Sequence, residues 1–382
     1  MSAQIAVVGA GPAGLITAIH LARSGQDVTL IDRAATPCGP IGEQLSGQAV
    51  RELACLDARL VATRFGVPSP STCSAWGESE LHVRSDLFSV WGSSYIVERS
   101  ALEQALAEVA QASGARFLRG ERLQRVSESS DALRLTLDSG GVLEAAFIVD
   151  ATGRSASVAR QLGATQLRYD SLVALQGTLA RTAVQRHPKG VCFAAHPEGA
   201  CSLAAHEVLV ESTSQGWWYS VRAPDGSLVA IYFTDREFLR LTGAEAVWRA
   251  ALIESRHTRL RARDYGKRQA IEVRSACSQR LDHAAGDRWL AVGDAAMAWD
   301  PLSASGLHNA ISEARHAADA IEAALAGDRE AVRVRYVERV RRAFASYLAT
   351  RGQMYRSQEL HAGSAFWQRR RTPASTDLTH SA

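Results

Sequence analysis

Two clusters of small residues have the types and spacing to handle a phosphate-bearing ligand. The first is GAGPAG, Gly9 to Gly14. There Gly9 permits a tight turn, Gly11 lets a pyrophosphate approach the backbone, and Gly14 lets a helix pack closely on a strand; Pro12 and Ala13 add little bulk. Asp32 follows at about the 20-residue spacing of an acid that binds a ribose hydroxyl. Arg33 beside it either covers an adenosine or is a surface residue. The second cluster is DPLSASGLH, Asp300 to His308, which runs into a helical pattern. A helix beginning near Ser305 and Gly306 would present free amides and a positive dipole end. The plainer alternative is a Ser-capped helix after a turn at Pro301.

The elements needed to place these clusters are legible around them. IAVV is a short apolar run of the buried parallel-strand kind, and LITAIHLARSG is patterned as a helix, so strand, glycine turn and helix come in the required order. DVTLID forms the next strand and ends in Asp32. RWLAVGDAAMAWDPLSASGLHNAISEARHAADAIEAAL reads as a strand to about Val292, a Gly-Asp turn, a loop and a long Ala-rich helix. SSYIVERSALEQALAEVAQASG is a further strand-to-helix unit, with Ser100 and Glu103 spaced as a capping box. Between about Leu172 and Asp235 short alternating segments with turns predict a mostly antiparallel sheet, on which the stretch STCSAWGESELHVRSDLFSVWGSS packs. Tyr336, Val340, Phe344 and Tyr347 mark the core face of a C-terminal helix whose arginines form a solvated face. The tail TPASTDLTHSA is expected to be disordered.

The predicted organisation is therefore a discontinuous nucleotide-binding domain over 1–60, 95–170 and 271–350, a substrate domain over 61–94 and 171–270, and a C-terminal extension over 351–382. With 382 residues, 46% of them hydrophobic, the chain can bury such a pair of joined cores. A formal charge of +3 with no concentrated basic run argues against a nucleic-acid partner. Six scattered Cys without C-x-x-C or Cys/His spacing support neither a disulfide framework nor a metal site. No apolar run reaches the length of a membrane span or signal peptide, so a soluble cytoplasmic protein is expected.

Three motifs in order over most of the chain resemble the FAD monooxygenase superfamily: GAGPAG, FIVDATGRSASVARQLG with Asp150 and Gly153, and the Gly-Asp segment with Asp294. The resemblance implies an α/β fold in which a Rossmann-type FAD-binding domain, like that of group A flavoprotein monooxygenases, carries an inserted mostly antiparallel substrate domain and C-terminal helices. It further implies that Asp294 binds the ribityl chain, that Arg99 contacts the FAD phosphates, and that the backbone of Val126 meets the adenine. Pro301, Ser305, Gly306 and Leu307 would line the flavin, with the helix end facing its pyrimidine edge, where reduced flavin carries negative charge. Bulky side chains there would keep the backbone away.

Within that superfamily, PIGEQLSG, SAWG, GWWYSVRAPDG and FWQRRR resemble the flavoprotein maturases of quinone-cofactor enzymes, which oxidise a Trp within a partner polypeptide and are related to flavin-dependent tryptophan halogenases. DPLSASGLH is similar to the halogenase form of that loop. Glu43, after Gly42, matches a Gly-Glu step near the flavin and is either a proton relay or a helix-start acid; His308 lies close enough to tune or protonate reduced flavin. Halogenases, however, carry an early Lys that engages hypohalous acid and a W-x-W-x-I-P motif. Here no Lys precedes Lys189, and Trp217, Trp218 and Tyr219 stand without the Ile-Pro.

The expected reaction is therefore oxygenation of an aromatic, indole-like substrate, either a small molecule or a Trp of a partner polypeptide. O2 would be the cosubstrate, with NAD(P)H or a separate flavin reductase as electron source. Halogenation, reduction of the geranylgeranyl-reductase type and a non-catalytic binding role are the alternatives. Trp76, Trp91, Trp217 and Trp218 fall in the segments that would wall the pocket, and because strand neighbours point to opposite faces, at most one of the adjacent pair 217 and 218 is expected to face ligand.

Overall fold

The computed structural model describes residues 2–36, 41–86, 89–128, 132–181, 206–268 and 270–371. Ser2–Val8 lies at the centre of the first sheet, in parallel register with Val28–Asp32 on one side and Val142–Asp150 on the other. Arg116–Arg119 extends the parallel edge beyond Val28–Asp32, and Trp289–Ala291 joins Val142–Asp150 in parallel. The antiparallel strands Leu133–Leu137 and Leu123–Glu128 complete the sheet. Helices Pro12–Arg23, Arg99–Ala112 and Gly306–Leu325 pack together beside it, and Ile5, Ala6 and Val7 are all wholly buried although they alternate in direction, so both faces of this strand are covered. The N-terminal apolar run is thus a central parallel strand, as its composition predicts.

The second sheet is antiparallel except where Val208–Thr213 runs parallel to Ser71–Ala75. Its middle strands are Leu172–Arg181, Leu228–Asp235 and Gly216–Arg222. Glu272–Ser275 also pairs with Leu172–Arg181, so this sheet draws on residues just past the expected boundary at 270. A small sheet of Ile41–Leu45, Ser94–Glu98 and Gly66–Ser69 bridges the two halves. Its Ile96 packs on Val221 and Val229 of the second sheet, while Ser94–Glu98 leads directly into helix Arg99–Ala112.

At the C-terminus, Tyr336, Val340, Phe344 and Tyr347 are buried along helix Arg329–Arg356, and Arg333, Arg335, Arg339 and Arg342 pair with acids on its outer side. That basic face is a solvated one whose ion pairs each contribute little. Over residues 352–371 the chain stays on the body: Phe366 and Trp367, on helix Ala365–Arg371, are fully buried in a cluster with Trp217 and Phe233. The Ser100/Glu103 capping box does not form. The helix starts after Glu98, the Ser100 hydroxyl donates to the Glu98 carboxylate, and Glu103 instead pairs with Arg99 one turn back. The strand expected in GVCFAA and the C-terminal tail lie outside the described residues, as do Cys38, Cys192 and Cys201; Cys55, Cys73 and Cys277 are not in disulfides. Among the described residues no helix is long and apolar enough to cross a membrane.

Candidate functional site

An open cleft of about 510 Å³ runs along the ends of the parallel strands. Gly9, Gly11, Asp32 and Arg33 line it, together with Arg119, Arg122, Thr152, Gly153 and Gln161. The glycines do different work. Gly9 adopts φ +107°, and a Cβ there would lie 2.2 Å from the Ala151 carbonyl oxygen; a Cβ on Gly14 would lie 2.1 Å from the Gly9 carbonyl oxygen. Both are demanded by the fold itself. At Gly11 a Cβ would meet nothing within 4 Å, so the small residue there keeps the cleft open rather than letting the chain pack. Helix Pro12–Arg23 begins at Gly11 with no side-chain cap, leaving its first amides free for a phosphate. Asp32 holds the turn from its other side: its carboxylate accepts the Ala10 N–H at 2.5 Å and the Ala34 N–H at 2.7 Å.

The distant motifs come together beside this cleft: Thr152 and Gly153 line it, while the Gly-Asp turn packs on the helix that starts at its edge. Gly293, in the Gly-Asp turn, adopts φ +56°, and a Cβ on it would lie 2.7 Å from the Ala13 side chain, so the first and last fingerprints touch. Asp294 projects beside them, its carboxylate 3.5 Å from Arg154 Nε. Arg154 is a residue that sequence reasoning passed over. It also donates to the Cys277 and Trp299 carbonyls at 2.6 and 2.8 Å, tying the Asp294 turn to the loop that follows. Its signal was available, since it stands immediately after Gly153. Asp150 itself turns away from the cleft: wholly buried, it accepts the Thr152, Val158 and Ala159 amides and the Thr152 hydroxyl. Desolvation raises its pKa against those donors.

The second small-residue cluster ends as a bare helix terminus. Ser305 occupies the N-cap position of Gly306–Leu325 but makes no side-chain cap; its hydroxyl donates back to the Ser303 carbonyl at 2.8 Å. The Ser-capped alternative therefore does not hold, and the amides at Gly306 and Leu307 are left without a side-chain acceptor. A Cβ on Gly306 would meet nothing within 4 Å. A wide nucleotide cleft, a contiguous Gly-Asp turn and an uncapped helix end are the cradle that FAD needs.

The remaining predicted residues fall into two groups. Glu43 and Arg99 come together: Arg99 Nη1 lies 2.6 Å from Glu43, and its Nε 2.7 Å from Glu103. Burial opposes the charge on Arg99, yet the two carboxylates raise its pKa above the ordinary Arg value. Glu103, rather than Arg99, lines the cleft. His308 Nδ1 lies 3.7 Å from Glu52 Oε2, and neither atom has a hydrogen-bond partner. The Val126 amide donates to the Gln161 side chain at 2.9 Å.

The tryptophans largely do not line a pocket. Trp217 is 1% exposed, stacked on Phe233 at 4.1 Å, and Trp218 is 0% exposed on the opposite face, edge-on to Trp248. Both faces of this sheet are covered, so the adjacent pair is core on both sides. Trp76 packs edge-on to Trp367 and donates to the Met354 carbonyl. Trp91 alone of the four is open, 48% exposed with the Arg51 guanidinium 5.7 Å from its ring centre.

The family described as FAD binding domain matches residues 2–351. The chain belongs to that family. As a member it is an FAD-dependent oxidoreductase of the monooxygenase and halogenase superfamily. Across 376 residues, 95% of both chains, it is 26% identical to the putative FAD-dependent oxidoreductase LodB of Marinomonas mediterranea. Its fold is that of QhpG, described as a peptidyl tryptophan dihydroxylase essential for tryptophylquinone cofactor biogenesis: TM-score 0.78 at 23% identity, over 100% of this chain and 81% of that one. It is also that of the flavin-dependent halogenase CmlS, with a TM-score of 0.80 at 22% identity over 98% and 68%.

Proposed function

We propose that this FAD-dependent oxidoreductase is a monooxygenase that hydroxylates an indole, the side chain of a tryptophan in a partner polypeptide. Bound FAD would supply two-electron chemistry and the activation of O2, with electrons from NAD(P)H or a partner flavin reductase. The amides at Gly11 would hold the pyrophosphate and Asp32 the ribose. Asp294, beside Arg154, would bind the ribityl chain, and the uncapped amides at Gly306 and Leu307 would serve the negatively charged edge of a reduced flavin. The Glu43–Arg99 pair fixes the small bridging sheet beside the site, with Glu43 or His308 moving the proton that the substrate exchanges. Trp91, open and beside Arg51, offers an aromatic surface to the incoming indole.

The observation that carries oxygen over halogen transfer is that no lysine precedes Lys189, so the electrophile holder of the related halogenases has no counterpart. The activity described for QhpG supports the polypeptide substrate. The test incubates FAD-loaded protein and a reductant with a tryptophan-containing peptide under isotopically labelled O2, followed by mass spectrometry. Labelled oxygen on the indole is the expected result. A halide-dependent mass gain would replace this reading with halogenation, and peptide left unmodified under both conditions would end it.

A further inference from the structure

We propose that Tyr355 couples the second sheet to the loop under the flavin, and so positions the uncapped end of helix Gly306–Leu325. This inference rests on the placement of that helix end against the flavin. Asp300, which begins the loop, is 1% exposed. Its carboxylate accepts the Leu302 N–H at 3.0 Å, Arg351 Nε at 3.1 Å and the Tyr355 hydroxyl at 2.7 Å. Its own N–H donates to the Tyr347 hydroxyl at 2.6 Å. Tyr347, Arg351 and Tyr355 stand four residues apart, hence on one face of helix Arg329–Arg356, and together they grip a single residue of the loop. Arg351 also reaches Asp170 at 2.9 Å, so one guanidinium serves two buried carboxylates.

The other side of Tyr355 faces the second sheet. Trp217 Nε1 donates to its hydroxyl oxygen at 3.2 Å, so the hydroxyl accepts from a sheet residue while donating to Asp300. Leu302, in the loop itself, packs on the same aromatic cluster. A displacement of the strand Gly216–Arg222 therefore reaches the loop through two contacts. Four residues beyond Leu302 are the amides at Gly306. The tie thus ends beside a helix terminus that, like the start of helix Pro12–Arg23 at the cleft, has no side-chain cap. Asp300 and Asp170 also place negative charge beneath this end, which Arg351 offsets. Losing that offset would oppose the negative charge of a reduced flavin.

The test compares FAD-loaded Tyr355→Phe, Arg351→Met and Arg351→Lys with two references. Trp218→Phe disturbs the cluster on the other side of the same sheet, and Gly306→Ala adds bulk at the helix end. The readouts are FAD dissociation constant, midpoint potential, visible flavin spectrum and melting temperature. Tyr355→Phe should weaken FAD on the order of threefold to tenfold and shift the spectrum. Arg351→Met should lower the midpoint potential, with Arg351→Lys restoring most of it. Trp218→Phe should lower the melting temperature and leave the potential unchanged. If Gly306→Ala perturbs the flavin while Tyr355→Phe only melts earlier, as Trp218→Phe does, the helix end is rightly placed and the coupling is overturned. If neither perturbs the flavin, the placement fails and the coupling fails with it. Should Arg351→Met not fold, Tyr355→Phe, which removes one oxygen, still decides.

Discussion

The two halves of this molecule make their interiors in opposite ways. Around the first sheet the site is built from backbone, with glycine positions, bare helix ends and a turn that brings Ala13 against Gly293, and it is left open as a cleft. Around the second sheet the large aromatic side chains fill the space themselves, and Trp76, Trp217, Trp218, Trp248 and Trp367 pack on one another or on neighbouring rings. Removal of side-chain bulk therefore has opposite meanings in the two regions. In the first it makes room for a ligand; in the second it would make a cavity.

The sharpest separation is expected from truncation. Trp218→Ala empties a site with no exposed surface and removes one of the two donors to the Ala251 carbonyl, so it should cost about 3–5 kcal/mol in chemical denaturation. FAD affinity in whatever fraction remains folded should be close to that of the parent. A variant that instead kept its stability and lost turnover would turn this indole back into a pocket wall.

The glycines break the comparison from the other side. Gly14→Ala forces a methyl against a main-chain oxygen that cannot swing aside, for a loss of about 1–3 kcal/mol even without cofactor. Gly11→Ala meets no atom of the protein and should melt with the parent, yet the methyl occupies the path of the pyrophosphate. A drop in FAD affinity of roughly tenfold or more is expected, read by flavin fluorescence titration. Equal loss of stability at both positions would mean that Gly11, too, is there for packing.

What was legible in the sequence follows the same division. A backbone-built site writes itself in glycine spacing, because only glycine tolerates the φ of Gly9 or the contact at Gly14, and the strand and helix around it carry their own periodicity. The aromatic half is ambiguous for a physical reason: alternating aromatics on a strand look the same whether the face they cover is a core or a pocket. The presence of helix Ala365–Arg371 over Trp217 decided that, and no local pattern announces it. The Asp300, Arg351 and Tyr355 contacts were equally hidden, since their partners lie 51 and 55 residues apart in the chain. From the sequence Arg99 reads as a contact to the FAD phosphates, and the structure places Glu103 rather than Arg99 on the cleft. The commitment of Arg99 to Glu43 and Glu103 was not legible, because one partner comes from a strand more than fifty residues earlier.

That pair supports an intermediate effect. Arg99→Met leaves buried Glu103 and half-buried Glu43 facing each other, which should cost about 2 kcal/mol, less than for a fully buried pair because solvent reaches Glu43. Adding Glu43→Gln to it should recover part of the loss, and a double variant no more stable than the single one would show that the carboxylates do not sense each other.

A small effect on stability is also expected at Trp91, and this position is the most informative about substrate. With 48% of its surface exposed and its main contact an Arg51 guanidinium at 5.7 Å, Trp91→Ala should change unfolding free energy by no more than about 0.5 kcal/mol. A hydrophobic side chain of this size is not kept at the surface by packing. If it receives the substrate indole, the variant should raise KM for the tryptophan peptide severalfold with kcat little changed, because it touches the bound ring and not the reacting oxygen. An unchanged KM would leave the second half of the molecule with no described tryptophan facing ligand, and would move the search for the substrate wall to the bridging sheet around Glu43 and Tyr219, whose hydroxyl already donates to the Gly42 carbonyl at 2.9 Å.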